Sequence, residues 1–235
     1  MRVMTMKPIT LVLSLLTISL CALTPNYAAA GLKSSFTGKD YEYDVQGEIY
    51  VAPDYAVLPV DIYVTGATYQ QALSVAKGVA TGTEESLRKQ YGQLVSVIWA
   101  GIDTLGAKSK NQQLVLSFFV RSDIAAKKDH WAKTELVAGI SDAIEALRKK
   151  HGSDNQIDIR TGQIQYHIAD IESYRKRVID SMTKKIELLR ISAKALRPGS
   201  PKVTTIDTDQ QISVEVISIE KAALRMDAQV RIQVE

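Results

Sequence analysis

Histidine is the residue type in this 235-residue sequence that is best suited to metal binding or proton transfer, and three histidines are present. Zinc sites and acid–base pairs bring such side chains together, often four residues apart on one helix. His130, His151 and His167 have no such spacing to one another or to a group of carboxylates. His151 follows a basic run at the end of a predicted helix, where positive charge is stabilising. Structural roles are therefore favoured, and we predict no metal site.

The short motifs that mark common enzyme sites are missing from the sequence. It has no G-x-S-x-G turn, no H-E-x-x-H motif, no phosphate-binding loop and no G-x-G-x-x-G segment. The nearest pattern, from Gly78 to Gly82, has only the spacing of a small-residue helix-packing motif. We therefore predict no catalytic residues and no cofactor, and a protein that is not an enzyme.

Tyrosine is favoured over phenylalanine, with ten residues against three, and several tyrosines lie in the first two predicted strands. Tyr50, Tyr55 and Tyr63 lie opposite the aliphatic row, and tyrosine tolerates half-exposure and is enriched at interfaces. Pro59 cannot donate a ladder hydrogen bond, so its strand is predicted to be an edge or to carry a bulge. These four residues form either an ordinary second face covered by the rest of the domain or a self-association surface.

The first thirty residues have the pattern of a secretory signal peptide. Arg2 and Lys7 precede an apolar run over residues 9–23, and small residues at 28–30 follow. The run is shorter than the roughly 20 residues that an ordinary transmembrane helix needs. We therefore predict cleavage after Ala30 and export, preferably to the bacterial periplasm. The alternative is an uncleaved N-terminal anchor.

Cleavage would change the chemistry available to the mature protein. It removes Cys21, the single cysteine, so disulfides, thiolate metal sites and cysteine nucleophiles are excluded. It also removes Arg2 and Lys7, which leaves 27 basic against 26 acidic residues, a net charge of +1 instead of +3. A nearly neutral chain argues against nucleic acid as a partner. No segment after the leader is long and apolar enough to be a transmembrane helix.

The order of elements predicts an α+β fold. Residues 31–42 are expected to form a flexible arm, and 43–235 a folded domain, either one unit or two α/β subdomains. Alternation predicts strands over 43–51 and 56–64, joined through Pro53-Asp54 as a hairpin. Thr68 is placed to cap a first helix, which either continues to Gln90 or, as we prefer, breaks near Gly82.

The middle of the chain is harder to assign. Residues 94–102 are apolar and fit a helix or a strand, 103–112 are expected to form a polar loop, and 114–120 alternate as a strand. Asp129 is a candidate N-cap for a second helix that ends at Gly152. Two large aromatic residues are predicted to lie in the core, namely Trp99 and Trp131.

The last third combines strands with one long helix. The phase of alternation flips across Thr161-Gly162, which predicts a bulge or a tight turn. Asp170 is placed to cap the longest helix, which the Pro-Gly-Ser-Pro segment at 198–201 ends, and the closing strands reach residue 234. The economical arrangement is a mainly antiparallel sheet packed by two or three helices, one of them long.

Three segments give the chain a resemblance to a known family. Gly47–Asp54, leading into Ala56–Val60, resembles the opening of the SIMPL-domain family, in which a strand with a glycine reaches a Pro-Asp pair and then a second apolar strand. Ile164–Leu196 is similar to that family's strand and long helix, and Val230–Val234 to its closing strand. The resemblance covers residues 43–235. The stretch from 94 to 129 departs from it, because it lacks the family's tyrosine-rich segment.

The resemblance implies an extracytoplasmic bacterial protein of α+β fold. Members are linked with oxidative-stress defence and with the cell envelope, some form large homo-oligomers, and no catalytic residues are agreed for them. The leading hypothesis is therefore a non-enzymatic, homo-oligomeric module of the periplasm or envelope, with Tyr50, Tyr55, Pro59 and Tyr63 as the candidate self-association surface. The alternative is a small-ligand-binding or holdase-like protective protein, and ligand binding would need a pocket with convergent polar groups.

Overall fold

The computed structural model describes residues 40–105, 111–152, 156–196 and 199–234, and within them lie nine strands and three α-helices. The predicted leader and residues 31–39 of the predicted arm lie outside this part. The helices are Tyr69–Tyr91 (α1), His130–His151 (α2) and Arg175–Leu196 (α3). The strands are Asp40–Val51 (β1), Tyr55–Gly66 (β2), Val95–Leu105 (β3), Gln112–Asp123 (β4), Ile157–Thr161 (β5), Gln165–His167 (β6), Pro201–Thr208 (β7), Ser213–Ser218 (β8) and Lys221–Val234 (β9).

All recorded strand pairs are antiparallel, and they form two sheets. In sheet A, β9 is central, with β1 on one side and β7 followed by β8 on the other. In sheet B the order is β3-β4-β2-β5, and β6 continues along β2 beside β5. Mainly antiparallel sheets packed by helices confirm the predicted α+β class.

Each sheet has its own apolar core, because alternate residues of its strands point toward helices. The core of sheet B is shared with α1 and α2, and its largest fully buried side chain is Phe118. The core of sheet A is shared with α3, where Val178 and Met182 contribute to the same cluster as Leu224 of β9. The helices contain 23, 22 and 22 residues, so α3 is not the longest, contrary to prediction.

The predicted hairpin between the first two strands is wrong. β1 pairs with β9 over its whole length, whereas β2 lies in the other sheet between β4 and β5. Asp54 in the connection is bonded to distant segments: its backbone N–H donates to the His167 carbonyl at 2.8 Å, and its carboxylate accepts from the Ala169 N–H at 2.7 Å. The Pro-Asp pair is therefore a crossover between the sheets. β1 also begins at Asp40, within the predicted arm.

The bulge predicted at Pro59 and the bulge predicted across Thr161-Gly162 are one and the same feature. β2 is not an edge strand, but its partner strand is interrupted opposite Pro59. Val60 pairs with Thr161 in β5, and Val57 pairs with Gln165 in β6. Between these two pairs, the segment that joins β5 to β6 therefore has one residue more than β2. This is a β-bulge, which Pro tolerates because the ladder is locally broken there.

Helix ends agree better with the sequence than strand partners do. Thr68 caps α1 by accepting from the Gln71 N–H at 3.2 Å, and Asp129 caps α2 by accepting from the Ala132 N–H at 2.8 Å. The preferred break near Gly82 is wrong, because α1 continues to Tyr91. It ends at Gly92, whose φ of 60° suits glycine. The predicted cap of the third helix by Asp170 is wrong: its carboxylate accepts from the Ser173 N–H at 3.2 Å, within a 3₁₀ turn that precedes α3.

Candidate self-association surface

Three of the four residues of the predicted surface share one face of β2. Tyr55, Pro59 and Tyr63 alternate with buried residues of that strand, so they lie on the side of sheet B away from α1 and α2. Tyr50 is on β1 in sheet A and is 48% exposed. The structure therefore brings three of these residues onto one face and places Tyr50 on a different sheet.

The tyrosine rings already have cationic neighbours within the chain. The Arg121 guanidinium lies 3.9 Å from the Tyr55 ring centroid, and the His167 ring stacks on Tyr55 with centroids 5.2 Å apart. The Arg160 guanidinium lies 4.3 Å from the Tyr63 ring. Cation–π contacts of this kind contribute about 0.5–1 kcal/mol at exposed sites. Both rings are half-buried, so their contacts within the chain account for part of the tyrosine bias.

A more exposed apolar surface lies beside them, at the β3 edge of sheet B. It consists of five large side chains, here called the β3 strip: Ile98 (45% exposed), Trp99 (45%), Ile102 (51%), Leu105 (41%) and Phe119 of β4 (39%). Ile98, Leu105 and Phe119 lie on the side away from the helices, whereas Trp99 and Ile102 lie on the helix side, so the strip covers both faces of this edge. Exposed large apolar side chains gathered at one place can mark an interaction site. The β3 strip is therefore the candidate functional surface of the described residues.

The predicted core positions of both tryptophans are wrong. Trp99 contacts the ring of buried Phe118 at 5.3 Å between centroids, yet it is on the outermost strand, where Val95 is the only buried residue. Trp131 is 71% exposed at the start of α2, next to His130. Sequence reasoning missed both because apolar character alone does not show where the helix layer ends.

One row of side chains connects the predicted surface to the β3 strip. On the side of sheet B away from the helices, Pro59 is directly opposite Phe119, and Phe119 is directly opposite Ile98. The register of β3 shifts between Trp99 and Gly101, so Ala100 is an extra residue. After this bulge Ile102 is opposite Leu116 and therefore lies on the helix side, as Trp99 does.

The bulge also explains why this segment was ambiguous in the sequence. Strict alternation is the pattern that identifies a half-buried strand, and one extra residue reverses its phase. β3 moreover continues to Leu105, through residues expected to be a polar loop, while 106–110 lie outside the described part. No signal in the sequence marks β3 as an uncovered edge, since its composition is that of a buried strand.

The cavity between sheet B and α2 offers little to a ligand. Its volume is about 10 Å³, which is room for one water molecule. Its two hydroxyls are engaged, because Ser122 donates to the Ala56 carbonyl and Ser141 to the Val137 carbonyl. Among the described residues, no three His, Cys, Asp or Glu side chains are grouped so that they could hold a metal. None of the described helices has the length and apolar character to span a membrane.

Strand β1, at the edge of sheet A, is protected by α3. The Ser181 hydroxyl accepts from the Glu48 N–H and donates to the Glu48 carbonyl, and the Lys185 ammonium donates to the Gln46 carbonyl at 2.7 Å. The Glu48 carboxylate accepts from Arg225 at 2.7 Å, and this hydrogen bond lowers the pKa of Glu48 below its usual value. Side chains thus occupy backbone groups that an edge strand otherwise offers to other chains.

Comparisons with known proteins leave the family open. No protein-family model matches the chain, and no curated protein is similar to it. Among solved structures, a Burkholderia cenocepacia protein provisionally named an amidohydrolase/peptidase is 14% identical, with a TM-score of 0.32 over 53% of this chain. The chain covers 30% of that protein's length. A likeness at this level carries no argument about fold or activity.

Proposed function

We propose that this protein is a non-enzymatic, homo-oligomeric module of the bacterial periplasm or cell envelope, and that it assembles through the β3 strip. The observation that supports assembly is the exposure of five large apolar side chains at one edge of sheet B. The signal-peptide pattern at residues 1–30 supports export. A role in stress defence is what the resemblance to SIMPL-domain proteins implies.

The strip is large enough to contribute substantially to association. Full burial of a large apolar side chain stabilises by about 1.5–3 kcal/mol, so covering these roughly half-exposed residues contributes about 1 kcal/mol each. Two copies would together gain about 10 kcal/mol. Association itself costs an estimated 4–15 kcal/mol. The strip can therefore support self-association that depends on concentration, and further contacts along Tyr55, Pro59 and Tyr63 would strengthen it.

Light scattering on chromatographed protein containing residues 31–235 tests this proposal, with a charge placed in the strip. We expect an oligomer at tens of micromolar, and Phe119→Glu and Ile98→Glu should each shift it toward the monomer. Val214→Glu is the matched control, because Val214 is 38% exposed and Phe119 39%, and Val214 lies in the other sheet. Equal effects of all three substitutions, with unchanged thermal melting, would show that the β3 strip is not the contact.

A holdase-like function is the second candidate, and the same exposed strip favours it. Exposed apolar surface can bind unfolded chains as well as a second copy. A mature protein that stays monomeric but suppresses aggregation of a heat-denatured client, and loses this with Phe119→Glu, would support this candidate over the oligomeric module.

A further inference from the structure

The four sheet edges are not equally protected against pairing with another chain. β1 is covered by Ser181 and Lys185 of α3. β7 begins with Pro201-Lys202, and both β7 and β8 have register shifts. β5 and β6 have five and three residues and meet at the bulge opposite Pro59. Short strands, proline, lysine and bulges are the usual protection of sheet edges.

β3 is longer than β5, β6, β7 or β8, and it carries fewer charges than β1. It has eleven residues, no lysine, arginine or proline, and a single charge at Asp103. β3 has a bulge of its own at Ala100, which divides it into two regular segments of about five residues each. An apolar, unprotected edge of this length is a template for adding a strand.

We propose that β3 pairs antiparallel with β3 of a second copy, about a two-fold axis between Ala100 and Gly101, so that two five-stranded sheets become one. This pairing rests on the proposed homo-oligomeric function and names its contact. The axis is perpendicular to the sheet, so residues on the helix side of one copy meet residues on the helix side of the other. Ala100 and Gly101, the two smallest residues of β3, lie at the axis.

The order of side chains in β3 is complementary to itself in this register. Trp99 lies opposite Ile102 of the second copy, and both are on the helix side. The two-fold repeats the contact, so four exposed apolar side chains form one cluster across the axis. Aromatic and β-branched residues opposite each other contribute about 0.2–1 kcal/mol per pair beyond alanine. Leu105 lies opposite Ser96 of the second copy, on the side away from the helices.

The charge of Asp103 favours the same register. Asp103 lies opposite Ile98 of the second copy, so no two charges face each other. The two Asp103 residues are five positions apart along the pairing, about 17 Å at 3.4 Å per residue. That separation exceeds the Debye length of about 8 Å at physiological ionic strength, so their repulsion is screened. A register with the two aspartates opposite each other would be destabilised.

Pulsed electron–electron distance measurement on spin-labelled protein tests the pairing, since the mature chain has no cysteine of its own. Labels at Ser96→Cys and, separately, at Asp103→Cys should give inter-copy distances of about 30 Å and about 17 Å. Any other antiparallel β3 register changes both values, lengthening one as it shortens the other. The assembly at tens of micromolar gives both distances if the proposal holds. If either distance is not observed in a sample that light scattering shows to be oligomeric, the proposed pairing is wrong.

A charged edge residue gives a second test with a closely matched control. Ile102→Lys should weaken association at least tenfold, because lysine on an edge opposes strand addition. Ile206→Lys, on the β7 edge of sheet A, should leave association unchanged, since Ile206 is 50% exposed and Ile102 51%. If both variants associate as the wild type does, the pairing is wrong although the proposed function stands. A wild-type monomer would overturn the proposed function as well.

Discussion

The carboxylate of Glu48 forms a partly buried ion pair on sheet A. It accepts from Arg225 at 2.7 Å, and Arg225 also bonds to Glu215 on the neighbouring strand. The side chains of Glu48 and Arg225 are 24% and 30% exposed, so solvent screens this pair only in part. Hydrogen bonds from arginine lower the pKa of Glu48, and its negative charge therefore stabilises the folded state at neutral pH.

Glu48→Gln should lower the free energy of unfolding at pH 7 by about 1 kcal/mol, the usual size for a hydrogen bond on a partly exposed charged group. Because the folded pKa is lowered, the stabilisation is present above the unfolded value of about 4.3 and is lost as pH falls through the folded pKa. Wild type and variant should therefore converge in melting temperature toward pH 3. Glu187→Gln, which breaks the solvent-exposed pair with Arg190, is the control and should show a smaller effect. A constant difference between wild type and Glu48→Gln across this range would contradict the assignment.

Individual residues were predictable where their role is local. Thr68 and Asp129 were identified as caps because a cap depends only on the next three residues of the chain. Trp99 and Trp131 were misplaced because burial depends on elements far away in sequence. Tyr55 and Tyr63 were placed on the correct face of β2, but the arginines that cover their rings come from β4 and β5.

At the scale of elements, the approach of α3 to sheet A depends on Gly47. A Cβ atom on Gly47 would lie 2.6 Å from the Val178 carbonyl oxygen and 2.9 Å from the Met182 Cβ. Backbone atoms cannot move aside without shifting the helix. Gly78 and Gly82 of α1 are the opposite case, because nothing lies within 4 Å of a Cβ at either position. Close contact with another element is therefore not the reason for glycine at these two positions.

Gly47→Ala should destabilise the protein by about 1–3 kcal/mol, the cost of overpacking a filled contact. Gly78→Ala should instead stabilise it by about 1 kcal/mol, since alanine is the better helix former and meets no obstacle. Chemical denaturation of both variants measures the two free energies. Gly47→Ala as stable as the wild type would show that α3 does not need glycine at this position.

The elements themselves followed from sequence patterns more readily than their pairing did. Alternation located β2 and β4, and helical spacing with caps located α1 and α2. The partners of β1 and β2 were missed because pairing β1 with β9 joins residues 171 to 193 positions apart. β3 was ambiguous because its bulge at Ala100 interrupts the alternation. Neither the distant partner of β1 nor the bulge in β3 can be recognised from a short stretch of sequence.

At the scale of the whole molecule, the two sheets are joined by specific contacts. Ile219, in the turn between β8 and β9 of sheet A, is buried in the core of sheet B. Beside it, Glu220 accepts from the ammonium of Lys133 on α2 at 3.3 Å, and Lys133 is itself buried. These contacts lie on the helix side of sheet B. The β3 strip is at the edge of that sheet, so association there would leave them in place.

The mass in solution of protein consisting of residues 31–235 tests the central proposal most directly. Sedimentation equilibrium of residues 31–235 at tens of micromolar should give a mass that is a multiple of one chain and that falls on dilution. Ile102→Lys should sediment with a mass shifted toward that of one chain, and Ile206→Lys as the wild type does. A wild-type protein that sediments as a single chain throughout this range would contradict the proposal that this is a self-assembling module.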